Sequence, residues 1–287
     1  MSYKIIDIEQ GTPEWLAMRQ NHIGGSDAPV ILNTSPWKTP YQLWREKLGF
    51  NENRSTPAMQ RGLVLEESAR EQFCSSTGLK VVPTVAVRTD IDFIMASFDG
   101  YDHKEKVAIE IKCPGAIDHE KALNKKVPEK YVAQLQHQMN VLDLSKMIYL
   151  SFDGVSITFF DVYRDDQFIE NMIAEESIFW DNVQNFQSPE LMDRDHEQRN
   201  DEVWLKKVAE LLEVRDKMKW LKYLEKEETK IKEDLISMSD GKNCIGGGIK
   251  LTKVIRKGAI EYSEIPVLKT VDLEKHRKQA TEYWKIA

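Results

Sequence analysis

Cysteine is scarce in this 287-residue chain. Cys74, Cys113 and Cys244 stand far apart with no CxxC pair, which excludes a disulfide framework and a cysteine-based zinc site. No apolar run is long enough to span a bilayer. The first eleven residues lack the basic start and apolar core of a secretory signal, so no membrane role and a cytoplasmic location are expected. Internal repeats and low-complexity tracts are absent as well. A surplus of positive charge is also missing, since Lys and Arg number 40 against 47 Asp and Glu. The distribution matters more than the sum. Residues 161–241 hold 22 acids against 12 basic residues, whereas residues 242–287 hold 10 basic residues against 5 acids. The acidity is thus concentrated in one middle segment, and global charge disfavours nucleic acid only weakly.

What is present suffices for a sizeable core, with 41% hydrophobic residues. The first fifty residues read as short helices between turns. Thr12-Pro13-Glu14 supplies an N-cap, a proline at the first helical position and an acid in the first turn. Ser26 or Asp27 is a candidate cap for a second short helix, and Pro40 opens an aromatic third. A convincing helix runs from 57 to 77 and stops at Gly78. Val81-Val82, Val85–Val87, Phe93–Phe98 and Val107–Cys113 read as strands. A helix over 128–143 follows, then a hairpin of 147–152 and 155–163 turning at Asp153-Gly154. Two long helical patterns occupy 165–187 and 199–236. After Gly241 a small hairpin is expected, Ile249–Ile255 with Ala259–Tyr262, turning at Lys257-Gly258. This order implies an α/β (α+β) core, a mixed sheet flanked by helices. The expected division is a core over 1–190, a helical segment over 191–240 and a basic extension over 241–287. Trp204, Val208, Leu211, Met218 and Leu221 suit a self-packed helical hairpin or a partner interface, and self-packing is favoured.

The chemistry starts at Ala108–Pro114. Side chains alternate along a strand, so Glu110 and Lys112 share one face while Ile109 and Ile111 take the other. Burying either charge without compensation is costly; a metal ion and a phosphate would supply the compensation, although an edge-strand salt bridge is the plainer reading. Asp99 lies eleven positions earlier, and a hairpin through 102–106 would set it beside Glu110. Two adjacent carboxylates repel unless a cation sits between them, and oxygen ligands suit Mg²⁺ or Mn²⁺. The alternative is that Asp99-Gly100 is simply a turn. Glu66 falls on the apolar face of the 57–77 helix with Ala69 and Phe73; its plainer reading is a surface pair with Arg70. Tyr131, Gln134 and Gln138 share one helix face, which a phosphate or a metal-bound water would suit, although solvated glutamines are the plainer reading. His137 points elsewhere and reads as structural.

Five motifs in order carry a resemblance: Trp15 to Arg19 with Gly24-Gly25-Ser26-Asp27, Arg61-Gly62 to Glu66, Ser97-Phe98-Asp99-Gly100, Glu110 to Pro114, and Tyr131 to Gln136. Over residues 10–165 the chain resembles the YqaJ viral recombinases, the phage lambda exonuclease branch of the PD-(D/E)xK nucleases. The tail motifs Arg256-Lys257-Gly258 and Tyr283-Trp284-Lys285 are similar to an extension of some phage members. The resemblance implies a restriction-endonuclease-like core and a 5′-to-3′ exonuclease acting on double-stranded DNA ends to leave 3′ overhangs. It further implies a single-strand annealing protein as partner and, in some members, a ring-shaped trimer. Asp99, Glu110, the Ile111 carbonyl and Glu66 would hold the ions, two per site. Lys112 would orient and help deprotonate the attacking water, and Gln134 would sit beside the centre. Arg19 and Ser26 would hold a terminal phosphate, with Tyr131 also on the DNA. A restriction-like endonuclease and a non-catalytic DNA-binding or scaffolding protein are the competing readings.

Overall fold

The computed structural model describes residues 3–50, 57–256 and 258–259. The chain divides into two compact units, Met1–Gln198 and Arg199–Ala287. The first holds β1 (Tyr3–Ile6), α1 (Pro13–Gln20), α2 (Ala28–Ile31), α3 (Pro40–Lys47) and α4 (Pro57–Thr77). Strands β2 (Val82–Arg88), β3 (Met95–Asp102) and β4 (Val107–Lys112) follow. Next come α5 (Ala116–Leu123), α6 (Glu129–Leu142), β5 (Lys146–Phe152), β6 (Ile157–Tyr163) and α7 (Asp166–Gln184). Thr12 caps α1 as expected, its side chain accepting from the Trp15 N–H, and Asp165 caps α7 by accepting from the Phe168 N–H. Asp27 holds the cap position of α2 but makes no side-chain cap bond.

The six strands form one sheet in sequence order. Only β4 and β5 run parallel, joined by the α5–α6 crossover, so the sheet is mixed. Alternation along β4 divides two cores. Ala108 joins Ala96, Phe98, Leu135 and Tyr149 in the larger cluster, on the α6 side. Ile109 and Ile111 join Ala69, Phe73, Leu150 and Phe152 in the smaller one, under α4. Hence a polar residue at position 110 must face α6.

Among the strands and α-helices of the first unit, β1 and α5 have no counterpart in the sequence reading. Strand β1 pairs with Val85–Arg88, some eighty positions away, and four residues are too few to display a period. The second unit contains α8 (Glu202–Met238) and the small hairpin β7 (Cys244–Gly246) with β8 (Ile249–Leu251). Lys257, at the expected Lys257-Gly258 turn, lies outside the described residues; the small hairpin found, β7–β8, lies upstream of it. Its turn lies at Gly247-Gly248, whose φ values of 56° and 82° are what a two-residue connection requires. Residues 260–262 and 283–285 lie outside the described residues. None of α8 is buried, and Trp204, Met218 and Leu221 are exposed. No described helix is long and apolar enough to cross a membrane.

Candidate active site

Glu110 sits on the α6 side of β4 and is 2% exposed. A carboxylate so placed needs donors, and the chain brings three. Lys112 Nζ and Gln134 Nε2 each donate to Oε1 at 2.5 Å, and Gln138 Nε2 donates to Oε2. Gln134 and Gln138 are one turn apart on α6, so one helix face grips both oxygens. The loop before α2 closes over this grip. A Cβ on Gly25 would lie 3.2 Å from Gln138 Cγ and 3.4 Å from Gln134 Cγ, so the bare glycine lets the loop approach.

Asp99 reaches the same place by a backbone irregularity. Thr84 pairs with Phe98 and Val82 with Tyr101, so three steps on β3 oppose two on β2. That is a β-bulge at Asp99-Gly100, a device that re-aims a side chain. Phe98 and Tyr101 accordingly pack into the same cluster although they are three apart. Asp99 Oδ2 accepts the Ile111 N–H at 2.7 Å, taking the position a ladder partner would hold. The N–H and C=O of a strand residue point to the same edge, so the Ile111 carbonyl faces the Asp99 side too. Arg70 completes the junction, donating from Nε to the Asp99 carbonyl at 2.7 Å and from Nη2 to Glu66 Oε1 at 2.8 Å. The plain Glu66–Arg70 pair therefore exists. It is a bridge from α4 to the bulge, not a solvated surface contact, with side chains 25% and 18% exposed.

The charges are in tension. Burial raises the Asp99 carboxyl well above its usual range, and Glu110 and Glu66 push it further. The Glu66 carboxyl is raised by burial and by Glu110, with Arg70 opposing. Burial works against the Lys112 ammonium, yet Glu110 and Asp99 prevail and its affinity for a proton rises. The Cys113 thiol is pushed up to about 11 by burial, Glu66 and Asp99, so it stays protonated and is a poor metal ligand. Oxygen donors from Asp99, Glu110, Glu66 and the Ile111 carbonyl fit a hard divalent cation. No three His, Cys, Asp or Glu side chains among the described residues converge into a preformed cage. Lys112 and Arg70 hold Glu110 and Glu66 instead.

Arg19 and Ser26 are brought together as expected. Arg19 Nη2 donates to Ser26 Oγ at 2.9 Å and to Asp27 Oδ1 at 3.3 Å, and its guanidinium lies 5.1 Å from the centre of the Trp15 ring. Trp15 Nε1 donates to Ser97 Oγ at 2.9 Å, tying this pair to the strand that carries Asp99. Sequence reasoning missed Lys47. Its ammonium is buried and donates to Asp27 Oδ2 at 2.7 Å and to the Arg19 and His22 carbonyls at 2.7 and 2.6 Å. Burial opposes the Asp27 charge, but Lys47, Arg19 and the Gly24 N–H outweigh it and leave the carboxyl far below the usual range. Thus Asp27 is the brace of the Gly24–Asp27 loop, and Lys47 is the brace of Asp27. Tyr131 lies 5.1 Å from Lys112 Nζ, measured from its ring centre. His137 is fully buried between Glu176 and the Met95 carbonyl, a structural residue as expected.

Residues 14–145 match the YqaJ-like viral recombinase domain family. The chain is 33% identical over 192 residues, 64% of its length, to the uncharacterized protein YqaJ of Bacillus subtilis (strain 168). That match spans 60% of the relative. Among solved structures, an alkaline exonuclease (LHK-Exo) from Laribacter hongkongensis superposes with a TM-score of 0.53 at 24% identity. It covers 70% of this chain and 100% of that one. LHK-Exo in complex with dAMP superposes with the same TM-score at 25% identity and the same coverage.

Proposed function

We propose, from the match of residues 14–145 to the YqaJ-like viral recombinase domain, that the protein is a divalent-metal-dependent exonuclease acting on the ends of double-stranded DNA. It would remove one strand 5′ to 3′ and leave a 3′ overhang for recombination. The carrying observation is the buried Glu110 carboxylate, gripped by Lys112, Gln134 and Gln138 beside the bulged Asp99 and the Arg70-bridged Glu66. A solved relative named an exonuclease, with dAMP bound, supports a nucleotide-releasing reaction. The competing reading, a non-catalytic scaffold, has no use for a cluster in which two carboxyls are forced upward.

In this reading Asp99, Glu110, Glu66 and the Ile111 carbonyl would hold Mg²⁺ or Mn²⁺, two ions per site. Such ions supply an activated water at neutral pH and stabilise charge on phosphate. Gln134 and Gln138 orient Glu110 so that both its oxygens are fixed. Lys112, which donates to Glu110, would orient and help deprotonate the attacking water and add positive charge beside the phosphate. Arg19, with five donors in a fixed fork, and the Ser26 hydroxyl receive a terminal phosphate, and the Asp27–Lys47 pair keeps them in place. Tyr131 contacts the DNA beside Lys112. A single-strand annealing protein, a ring of identical subunits and the cytoplasm of a phage-bearing bacterium complete the proposal.

The test uses the purified full chain with linear duplexes bearing 5′-phosphate or 5′-hydroxyl ends and a covalently closed circle, with and without Mg²⁺. Linear duplex should be degraded only with the metal, the phosphorylated end faster, and the circle left whole. Lys112→Ala should abolish cleavage while the protein stays folded. Full activity of that variant would refute the assignment, and cutting of the circle would turn the reading to an endonuclease.

A further inference from the structure

Trp37 is 65% exposed, which is unusual for so large an apolar ring. It is not loosely held. Ser35 Oγ accepts the Trp37 N–H at 3.3 Å, and Arg194 donates to the carbonyls of Ser35 and Lys38 at 3.2 and 3.1 Å. Thr39 Oγ1 donates to Asp195 at 2.6 Å, so both sides of the tryptophan are clamped by the 193–195 turn. The indole stacks on Tyr131, with ring centres 6.1 Å apart and planes inclined by 29°. Lys130 Nζ lies 4.8 Å from the Trp37 ring centre and 5.2 Å from that of Tyr131. Tyr131 in turn lies beside Lys112. An open aromatic face, flanked by a lysine and linked through one ring to the candidate catalytic lysine, has the make-up of a single-strand stacking platform. The nearby acid, Asp118, pairs with Lys130 at 2.6 Å and with Lys121 at 3.0 Å, so it is neutralised within the cluster.

We infer that Trp37 is a stacking platform for an unpaired nucleobase of the DNA end, held there while the adjoining phosphate lies toward Lys112. The inference deepens the exonuclease reading and rests on it for the substrate class. Duplex ends must open before a single phosphodiester can reach Lys112 at the end of β4. A rigid ring beside Tyr131 and Lys112 captures the opened base without reading its sequence, since every base has a π-face. Lys130 contributes positive charge for the backbone of the same strand.

The experiment separates binding from cleavage. Full-length protein in metal-free buffer is titrated into a fluorescently labelled short oligothymidylate and, in parallel, into an abasic strand of equal length, and anisotropy is read. Trp37→Ala should weaken oligothymidylate binding about tenfold, and Trp37→Phe about threefold or less. Affinity for the abasic strand should be the same in all three proteins. Equal oligothymidylate affinity of Trp37→Ala and the wild type would overturn the inference. So would an equal loss on the abasic strand, or no single-strand binding by the wild type. If the wild type binds as expected but cleaves no substrate with Mg²⁺, the cleavage reading fails while the platform stands.

Discussion

Replacing Gly100 by alanine should disturb both the fold and the centre, although Gly100 touches no substrate. A Cβ built there would lie 2.8 Å from Ile109 Cγ1, 2.8 Å from Val81 Cγ2 and 2.9 Å from Val81 Cβ. Ordinary carbon–carbon contact is roughly 3.5–4.0 Å, so three atoms overlap by more than half an ångström each. Ile109 is fully buried and Val81 nearly so, and both are β-branched and stiff at χ1, so neither swings aside cheaply. Overpacking of this kind costs about 1–3 kcal/mol. For a unit of this size that corresponds to a fall in Tm of roughly 2–4 °C per kcal/mol. The cheapest relief is a shift of the β3 bulge away from β4. That shift moves Asp99, whose carboxylate holds the Ile111 N–H. Misplacement by about an ångström at a reacting centre can lower the rate about a hundredfold. Gly100→Ala should therefore lose stability in urea titration and lose exonuclease rate at saturating Mg²⁺ at a temperature where it is folded. Gly115→Ala is the control, because a Cβ there meets nothing within 4 Å. Stability of Gly100→Ala within about 0.5 kcal/mol of the wild type would refute the packing argument. Normal turnover would refute the coupling to Asp99.

The raised Asp99 carboxyl gives a sign that can be checked without any substrate. A folded state that holds a proton more tightly than the unfolded chain is stabilised below the unfolded value of 3.8, and it loses that contribution as pH rises through the elevated folded value. Metal-free Asp99→Asn should thus melt above the wild type at pH 8 and lose the advantage toward pH 4; a lower Tm at pH 8 would contradict the reading. Mg²⁺ should raise the Tm of the wild type and leave Asp99→Asn nearly unmoved, which the same thermal scans report. Lys47→Ala should cost about 3–5 kcal/mol, because it leaves Asp27 buried beside fewer donors. Chemical denaturation within about 1 kcal/mol of the wild type would show that the pair is not what holds the Gly24–Asp27 loop.

Much of the centre was legible along the chain. A strand with Glu110 and Lys112 on one face, a helix face bearing Gln134 and Gln138, and a glycine pair before Ser26 are local patterns. Their consequences follow from periods of 2 and 3.6 that any such segment obeys. The mixed sheet followed from the order of those segments. What the sequence alone determined is which side chains each element presents and to which face. The tertiary structure decided which faces meet, and there local reading failed. Asp99-Gly100 has the composition of a turn, yet it is a bulge within β3, because Ile109 and Val81 close in from another strand and a preceding loop. Lys47 looks like an ordinary helix-end lysine until Asp27, twenty positions earlier, is folded against it. Trp37 stands exposed on a loop that the 193–195 turn clamps from both sides, a contact some 156 positions away in sequence. Each depends on contacts distant in sequence, whose energies are set by burial and by partners that no single segment contains.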